Sequence, residues 1–130
     1  MIYVDSSVVL AQVLSDDVRP APSFWSADGL ASSRLTEFEC WVRVHAYGKA
    51  ETHGVMLVEV LAALDLVALD ESACARCRAP FPTPVRTLDA LHLAAADFLR
   101  LRGFSVQIAT YDARMQEAAA AMGFRLAPLA

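Results

Sequence analysis

Apolar positions along the chain fall into blocks of two kinds. Ile2-Tyr3-Val4, Leu30-Ala31-Ser32-Ser33, Leu66-Val67-Ala68-Leu69 and Val106 to Tyr111 are compact β-type runs, and Phe124 to Leu126 is a candidate last edge strand. Between them, helical spacing covers Ser6 to Leu14, Pro22 to Asp28, Leu35 to Lys49, Thr52 to Leu64, Glu71 to Ala79, Thr87 to Arg102 and Ala113 to Met122. The breakers agree with these limits. Asp16-Asp17 with Pro20 and Pro22 end the first helix, and Gly48 or Gly54 divides the two central ones. Pro80, Pro82 and Pro84 stiffen a loop, while Gly103 and Gly123 follow helix ends. Ser33 carries a cap signal for the helix beginning at Leu35. Short strands alternating with helices predict a parallel sheet covered on both faces. The expected architecture is therefore α/β, a three-layer α/β/α sandwich around four or five short strands. At 130 residues the chain is expected to form one domain, residues 1–130.

Composition narrows the function classes. Apolar residues make up 56% and charged residues 20%, with a mean hydropathy of +0.38, which excludes a disordered chain. The apolar share exceeds what an isolated monomer of this size needs, so a partner-binding surface is expected. The run Val55-Met56-Leu57-Val58 with Trp41 and Tyr47 is the candidate surface, and a homodimer the expected use. The longest stretch free of Asp, Glu, Lys and Arg runs only from Ser6 to Ser15, too short for a membrane span of about 20 residues. The start of the chain has no basic segment before its apolar run, so no signal peptide is expected and a cytoplasmic location is. The net charge of −4 argues against a generic electrostatic nucleic-acid binder. Of eleven basic residues only Lys49 is Lys, and arginine forks suit phosphate. Cys74 and Cys77 form a C-x-x-C pair, but the second pair of a structural zinc site is missing and the predicted helix around them is wrong for a redox motif.

In parallel sheets, ligands sit beyond the carboxyl ends of the strands. Asp5, Asp70 and Asp112 each directly follow a β-type run. Asp89 falls in the first turn of a predicted helix, and Glu39 in the early turns of another. Each has a bland reading: Asp is a favoured cap and first-turn residue, and a lone Glu on a helix is solvated. Together they can converge at one sheet edge, where four carboxylates must take up protons or bind a hard cation. Oxygen ligands point to Mg²⁺ or Mn²⁺, whose sites commonly do phosphoryl chemistry.

More specific is a resemblance in four motifs. Tyr3-Val4-Asp5-Ser6-Ser7, Ser33-Arg34-Leu35-Thr36-Glu37-Phe38-Glu39, Arg86-Thr87-Leu88-Asp89-Ala90-Leu91-His92-Leu93-Ala94 and Ala109-Thr110-Tyr111-Asp112 resemble, in family order and over nearly the whole chain, the PIN-domain nucleases, and among them the VapC-like toxins of toxin–antitoxin pairs. The resemblance implies an acidic metal-ligand quartet, which falls on Asp5, Glu39, Asp89 and Asp112, with Ser6 and Thr110 at hydroxyl positions near the site. It implies RNA cleavage with one or two Mg²⁺ or Mn²⁺ ions, homodimers and a cognate antitoxin. Two dications would cancel the four formal negative charges, so an acidic chain is compatible with an RNA substrate. Arg86 and Arg114 flank the acids and are candidates for RNA phosphate, a plain surface salt bridge being the other reading.

Competing readings fit less well. A phospho-acceptor signalling domain wants paired acids near the first strand end and a Lys after a late strand, but Ser6 follows Asp5 and Lys49 lies in a helix. A phosphatase with an Asp nucleophile wants a second Asp where Ser7 stands. A PIN fold kept as a non-catalytic RNA-binding or interaction module remains the alternative. His92, three residues after Asp89, shares a helical phase with Leu88, Ala95 and Leu99 and reads as a packed histidine. His45 and His53 read as surface or packing residues, and Trp25, Trp41 and Tyr47 as core or dimer packing, with stacking on bases the other reading. For the helix ligand, phase separates Glu37 from Glu39. With Leu35 at zero and about 100° per residue, Val42 and Ala46 fall near roughly 340° and 20°, the expected inward stripe. Glu39 then lies near about 40°, bordering it, and Glu37 near about 200°, on the opposite face.

Overall fold

Adjacent residues of the short strands face opposite ways, and this alternation builds two cores. The computed structural model describes residues 1–130. In chain order the elements are β1 (Ile2–Val4), α1 (Ser6–Leu14), a 3₁₀ turn (Pro22–Ser26), β2 (Leu30–Ser33), α2 (Arg34–Ala46), α3 (Ala50–Ala62) and β3 (Asp65–Val67). Then come α4 (Glu71–Cys74) with a 3₁₀ turn (Ala75–Arg78), α5 (Thr87–Leu101), β4 (Gln107–Ala109), α6 (Ala113–Ala121) and β5 (Arg125–Leu126). All strand pairs are parallel, in the order β3-β2-β1-β4-β5. Val4, Leu30 and Ala109 pack with Val8, Val44 and Leu57 in the core beneath α1, α2 and α3. Tyr3, Ala31 and Ile108 point the other way, into the core of Leu93, Ala96 and Met115 beneath α5 and α6. The protein is thus an α/β fold with a five-stranded parallel sheet and six α-helices.

Several local expectations shift. The helical stretch at Glu71–Ala79 is one α-turn followed by a 3₁₀ turn. The strand expected over Val106–Tyr111 pairs only from Gln107 to Ala109, because Thr110 leaves the ladder to bond with Asp5 and Asp112. Helices α2 and α3 part at Gly48, which takes a positive φ of 66°, whereas Gly54 lies inside α3. Ser33 occupies the cap position of α2 without making the cap bond. Its hydroxyl lies 2.9 Å from the Tyr3 hydroxyl instead.

The strand order places the site. From β1 the chain moves outward through β2 to β3, then crosses back to β4 on the other side of β1 and on to β5. The direction reverses between β1 and β4, and the crevice beyond the carboxyl ends of those two strands is where an open α/β sheet accepts ligands. Asp5 leaves β1 there, beside Thr110 leaving β4, in the register that pairs Val4 with Ala109.

Candidate functional site

A cleft of about 510 Å³ opens at this crevice and is lined by Asp5, Glu39, Asp89, Asp112, Ser6, Ser7, His92, Arg43 and Arg86 among others. Asp5 arrives from β1, Glu39 from the second turn of α2, Asp89 from the first turn of α5, and Asp112 from the cap of α6. Asp70 is not among the lining residues; its carboxylate caps α4 by accepting from the Ala73 amide at 2.9 Å. The cap reading also describes Asp5 and Asp112, which accept from the Ser7 and Arg114 amides at 3.1 and 2.9 Å. Capping and lining the cleft are compatible, because a helix that starts at a strand's carboxyl end aims its cap there.

Asp5 is the deepest acid, 4% exposed. The Ser7 hydroxyl donates to its Oδ1 at 2.6 Å, and the Thr110 hydroxyl donates to its Oδ2 at 2.5 Å. Each hydroxyl has one proton, so both are committed to Asp5 and both oxygens are free to accept. Ser7 Oγ then accepts from the Tyr111 amide and Thr110 Oγ1 from the Asp112 amide. The hydroxyl that holds Asp5 on the β1 side therefore belongs to Ser7. Ser6, expected near the site, lines the cleft and makes no side-chain hydrogen bond; its carbonyl faces the Cys40 thiol. Burial pushes the Asp5 carboxyl up, against the pull of Ser7, Thr110 and the nearby His92. Asp89 is also raised, first by desolvation and then by Asp112, with Glu39 adding to it. Beneath them the Cys40 thiol is pushed up to about 12 by burial, Glu39 and Asp5. The cleft is an acidic field with no lysine and two flanking arginines, Arg43 and Arg86.

Glu39 reaches the cleft, but not by the expected phase. The buried residues of α2 are Leu35, Thr36, Cys40 and Val44, while Val42 is 69% exposed and Ala46 is exposed too. The inward stripe is centred near about 100° on the same wheel, not near zero. Glu39 lies inside that arc, between Leu35 and Thr36, and Glu37 beyond its far edge, where Arg34 pairs with it at 3.0 Å. Leu88, expected in the apolar stripe of α5, is half exposed. Leu57, expected on a partner surface, is fully buried, whereas its neighbours Val55, Met56 and Val58 are exposed. Arg114 lies outside the acidic cleft, in an adjoining cavity of about 420 Å³ that shares Arg86 and Asp89 with it.

The sequence reading did not single out Ser7, Arg43 or the bond from His92 to Glu39. His92 Nε2 lies 2.6 Å from Glu39 Oε1, and its Nδ1 lies 2.8 Å from the Tyr3 hydroxyl. The signal for Ser7 lay in its spacing: two residues after a strand-end Asp is where a capping side chain meets a backbone amide.

The PIN domain family model matches residues 2–121 of this chain. The chain belongs to the PIN domain family. PIN domains are generally nucleases and generally bind divalent metal ions. This PIN domain has the fold of a chain in a toxin–antitoxin complex from Klebsiella pneumoniae, with 16% sequence identity, a TM-score of 0.57, and coverage of 92% of this chain and 91% of that one. No curated protein matches it in sequence. No helix is long and apolar enough to cross a membrane.

The acids lining the cleft of this PIN domain offer carboxylate oxygens, the donor type of a hard dication. As they stand, no three His, Cys, Asp or Glu side chains come together closely enough to hold an ion. Their chemistry fits. Asp89 makes no protein hydrogen bond through either oxygen, Asp112 and Glu39 each bond through one oxygen only, and Asp5 is raised by burial that a cation would offset. Oxygen donors of this kind suit Mg²⁺ or Mn²⁺.

Proposed function

We propose that this chain is a divalent-metal-dependent endoribonuclease, the toxin of a toxin–antitoxin pair. The observation that carries the reading is the buried, uncompensated Asp5 at the switch point of the sheet, with Glu39, Asp89 and Asp112 lining the same cleft. These four would hold one or two Mg²⁺ or Mn²⁺ ions. Such an ion, when bound, supplies a Lewis acid that lowers the pKa of water and offsets charge on the phosphodiester.

The chain's own residues do the rest. Ser7 and Thr110 aim the Asp5 carboxylate, each spending its only proton on it. Arg86 lines both the acidic cleft and the adjoining cavity that contains Arg114, so the two guanidinium groups offer successive contacts to phosphates leading away from the acids. Arg43 offers one on the α2 side. An RNA backbone approaching four carboxylates needs such flanking cations, because phosphate contacts supply most non-specific affinity.

The antitoxin expectation rests on the shared fold with the toxin–antitoxin chain. An apolar groove of about 550 Å³, lined by Leu10, Leu14, Val18, Tyr47 and Tyr111, adjoins the acidic cleft and shares Ser7, Leu10 and Arg43 with it. A peptide seated there would reach the acids. Of the residues expected on a dimer surface, Tyr47, Val55, Met56 and Val58 are exposed, and exposed Phe38 and Val42 of α2 add support for a homodimer. A cytoplasmic location goes with an RNA target.

The test is cleavage of end-labelled RNA with Mg²⁺ or Mn²⁺ titrated in, against an EDTA control. Cleavage that rises with metal and stops in EDTA supports the reading. RNA retained without any cleavage at saturating metal would leave a PIN fold used as a non-catalytic binding module.

A further inference from the structure

Helix α5 faces the sheet with Leu93, Ala95, Ala96 and Leu99, all buried. His92 is buried beside them, 3% exposed, where an apolar side chain would pack without needing partners. It has two. The ring bridges the Tyr3 hydroxyl, 2.8 Å from Nδ1, and Glu39 Oε1, 2.6 Å from Nε2. Tyr3 is 1% exposed and also lies 2.9 Å from Ser33 Oγ. A carboxylate only accepts, so Nε2 carries the proton of the bond to Glu39. In the neutral ring Nδ1 then accepts from the Tyr3 hydroxyl, which in turn can accept from Ser33. The chain of contacts from Ser33 through Tyr3 and His92 to Glu39 joins β2, β1, α5 and α2 just beyond the sheet's carboxyl edge.

This arrangement acts on one atom pair. Glu39 projects from α2, on the opposite side of the sheet from α5, into the cleft it shares with Asp5, Asp89 and Asp112. The Nε2–H bond holds Oε1 and leaves Oε2 without a protein partner. The rotamer of Glu39 is thereby restricted before any ligand arrives.

We propose that His92, fixed by Tyr3, is a positioning residue that sets the Glu39 carboxylate for a divalent cation. The inference rests on the metal-dependent reading of the cleft. Its test is Mn²⁺ binding to the RNA-free protein by calorimetry, compared with the Mn²⁺ dependence of cleavage. His92→Leu is expected to weaken the Mn²⁺ Kd about 10- to 100-fold. It should shift the half-saturating Mn²⁺ for cleavage by the same factor, with a smaller loss of rate at saturation. His92→Gln, whose amide N–H can reach Glu39, recovers most of the affinity, and Tyr3→Phe loses only a few-fold. Should His92→Leu not fold, His92→Asn replaces it with the same expectation, since it keeps a partner for Tyr3 but stops short of Glu39. A folded His92→Leu or His92→Asn with the wild-type Kd overturns the positioning role and leaves the metal reading standing. A wild-type protein that binds no Mn²⁺ overturns both.

Discussion

Two aspartates of this PIN domain are buried to similar depth and treated in opposite ways. Asp97, 7% exposed, lies on α5 one turn before Arg100, whose guanidinium donates to its Oδ1 from Nε at 3.1 Å and from Nη2 at 2.7 Å. The same arginine donates to the Met122 carbonyl at 2.9 Å and stacks over Phe124 at 3.9 Å, so the pair locks α5 to the end of α6. Asp5, 4% exposed, has no cationic side chain bonded to it. Hydroxyls and an amide hold its carboxylate while Glu39, Asp89 and Asp112 line the same cleft. A buried charge in a structural role is paired. A buried charge left to hydroxyls among other acids is costly to the fold, and its retention needs a function.

The largest expected effect breaks the Asp5 side of the comparison. Asp5→Asn and Glu39→Gln should each lower metal-dependent RNA cleavage by orders of magnitude, with the far-UV circular dichroism of the wild type retained. An Asp5→Asn protein that cleaves at the wild-type rate would remove Asp5 from the chemistry.

Next, Asp97→Ala should lower stability by about 1–3 kcal/mol in urea unfolding, because it strips a charge-assisted bond from a half-exposed arginine. This loss should be the same in EDTA and in Mn²⁺. A Mn²⁺-dependent loss would mean that the two aspartates are not separate in role.

A smaller effect of opposite sign is expected for Asp5→Asn in EDTA. The raised Asp5 carboxyl binds a proton more readily when folded than when unfolded. Folding stability is therefore lost as pH rises from the ordinary aspartate value of about 3.9 through the raised one. Asp5→Asn should remove part of that slope and melt higher than wild type at neutral pH. About 1 kcal/mol of relief corresponds to roughly 4 °C in a chain of this size. Saturating Mn²⁺ should shrink or reverse the gap by stabilising the wild type. Superimposable melts in EDTA at pH 7 would show that burial of Asp5 carries no cost.

The smallest effect belongs to Glu37→Gln, which should leave cleavage within a few-fold of wild type, since Glu37 pairs with Arg34 and is not among the cleft-lining residues. Loss of activity in Glu37→Gln but not in Glu39→Gln would reverse the assignment of the helix residue.

Much of this was legible along the chain because it is local. Strand and helix alternation, the breaks at Gly103 and Gly123 and the acids at strand ends follow from chemistry acting within a few residues. The same locality limited the reading of α2. Val42 is apolar and drew the inward stripe toward itself, yet it stands exposed, while Thr36 is fully buried against Ser32, the two hydroxyls 2.8 Å apart. A helical wheel cannot show that a buried threonine has found a partner on another element.

The sequence by itself determined which residues follow which strand, and therefore that Asp5 and Asp112 would leave a parallel sheet at its carboxyl end. Local caps and hydrophobic periodicity act through bonds and spacings that the chain carries with it. Only the tertiary structure decided that β4 would lie beside β1, bringing Thr110 to Asp5 across 105 positions. It also decided that α5 and α2, on opposite sides of the sheet, would meet through His92 and Glu39, 53 positions apart. Such pairings depend on strand order and on how closely the alanine-rich face of α5 approaches the sheet. No window of sequence contains both partners.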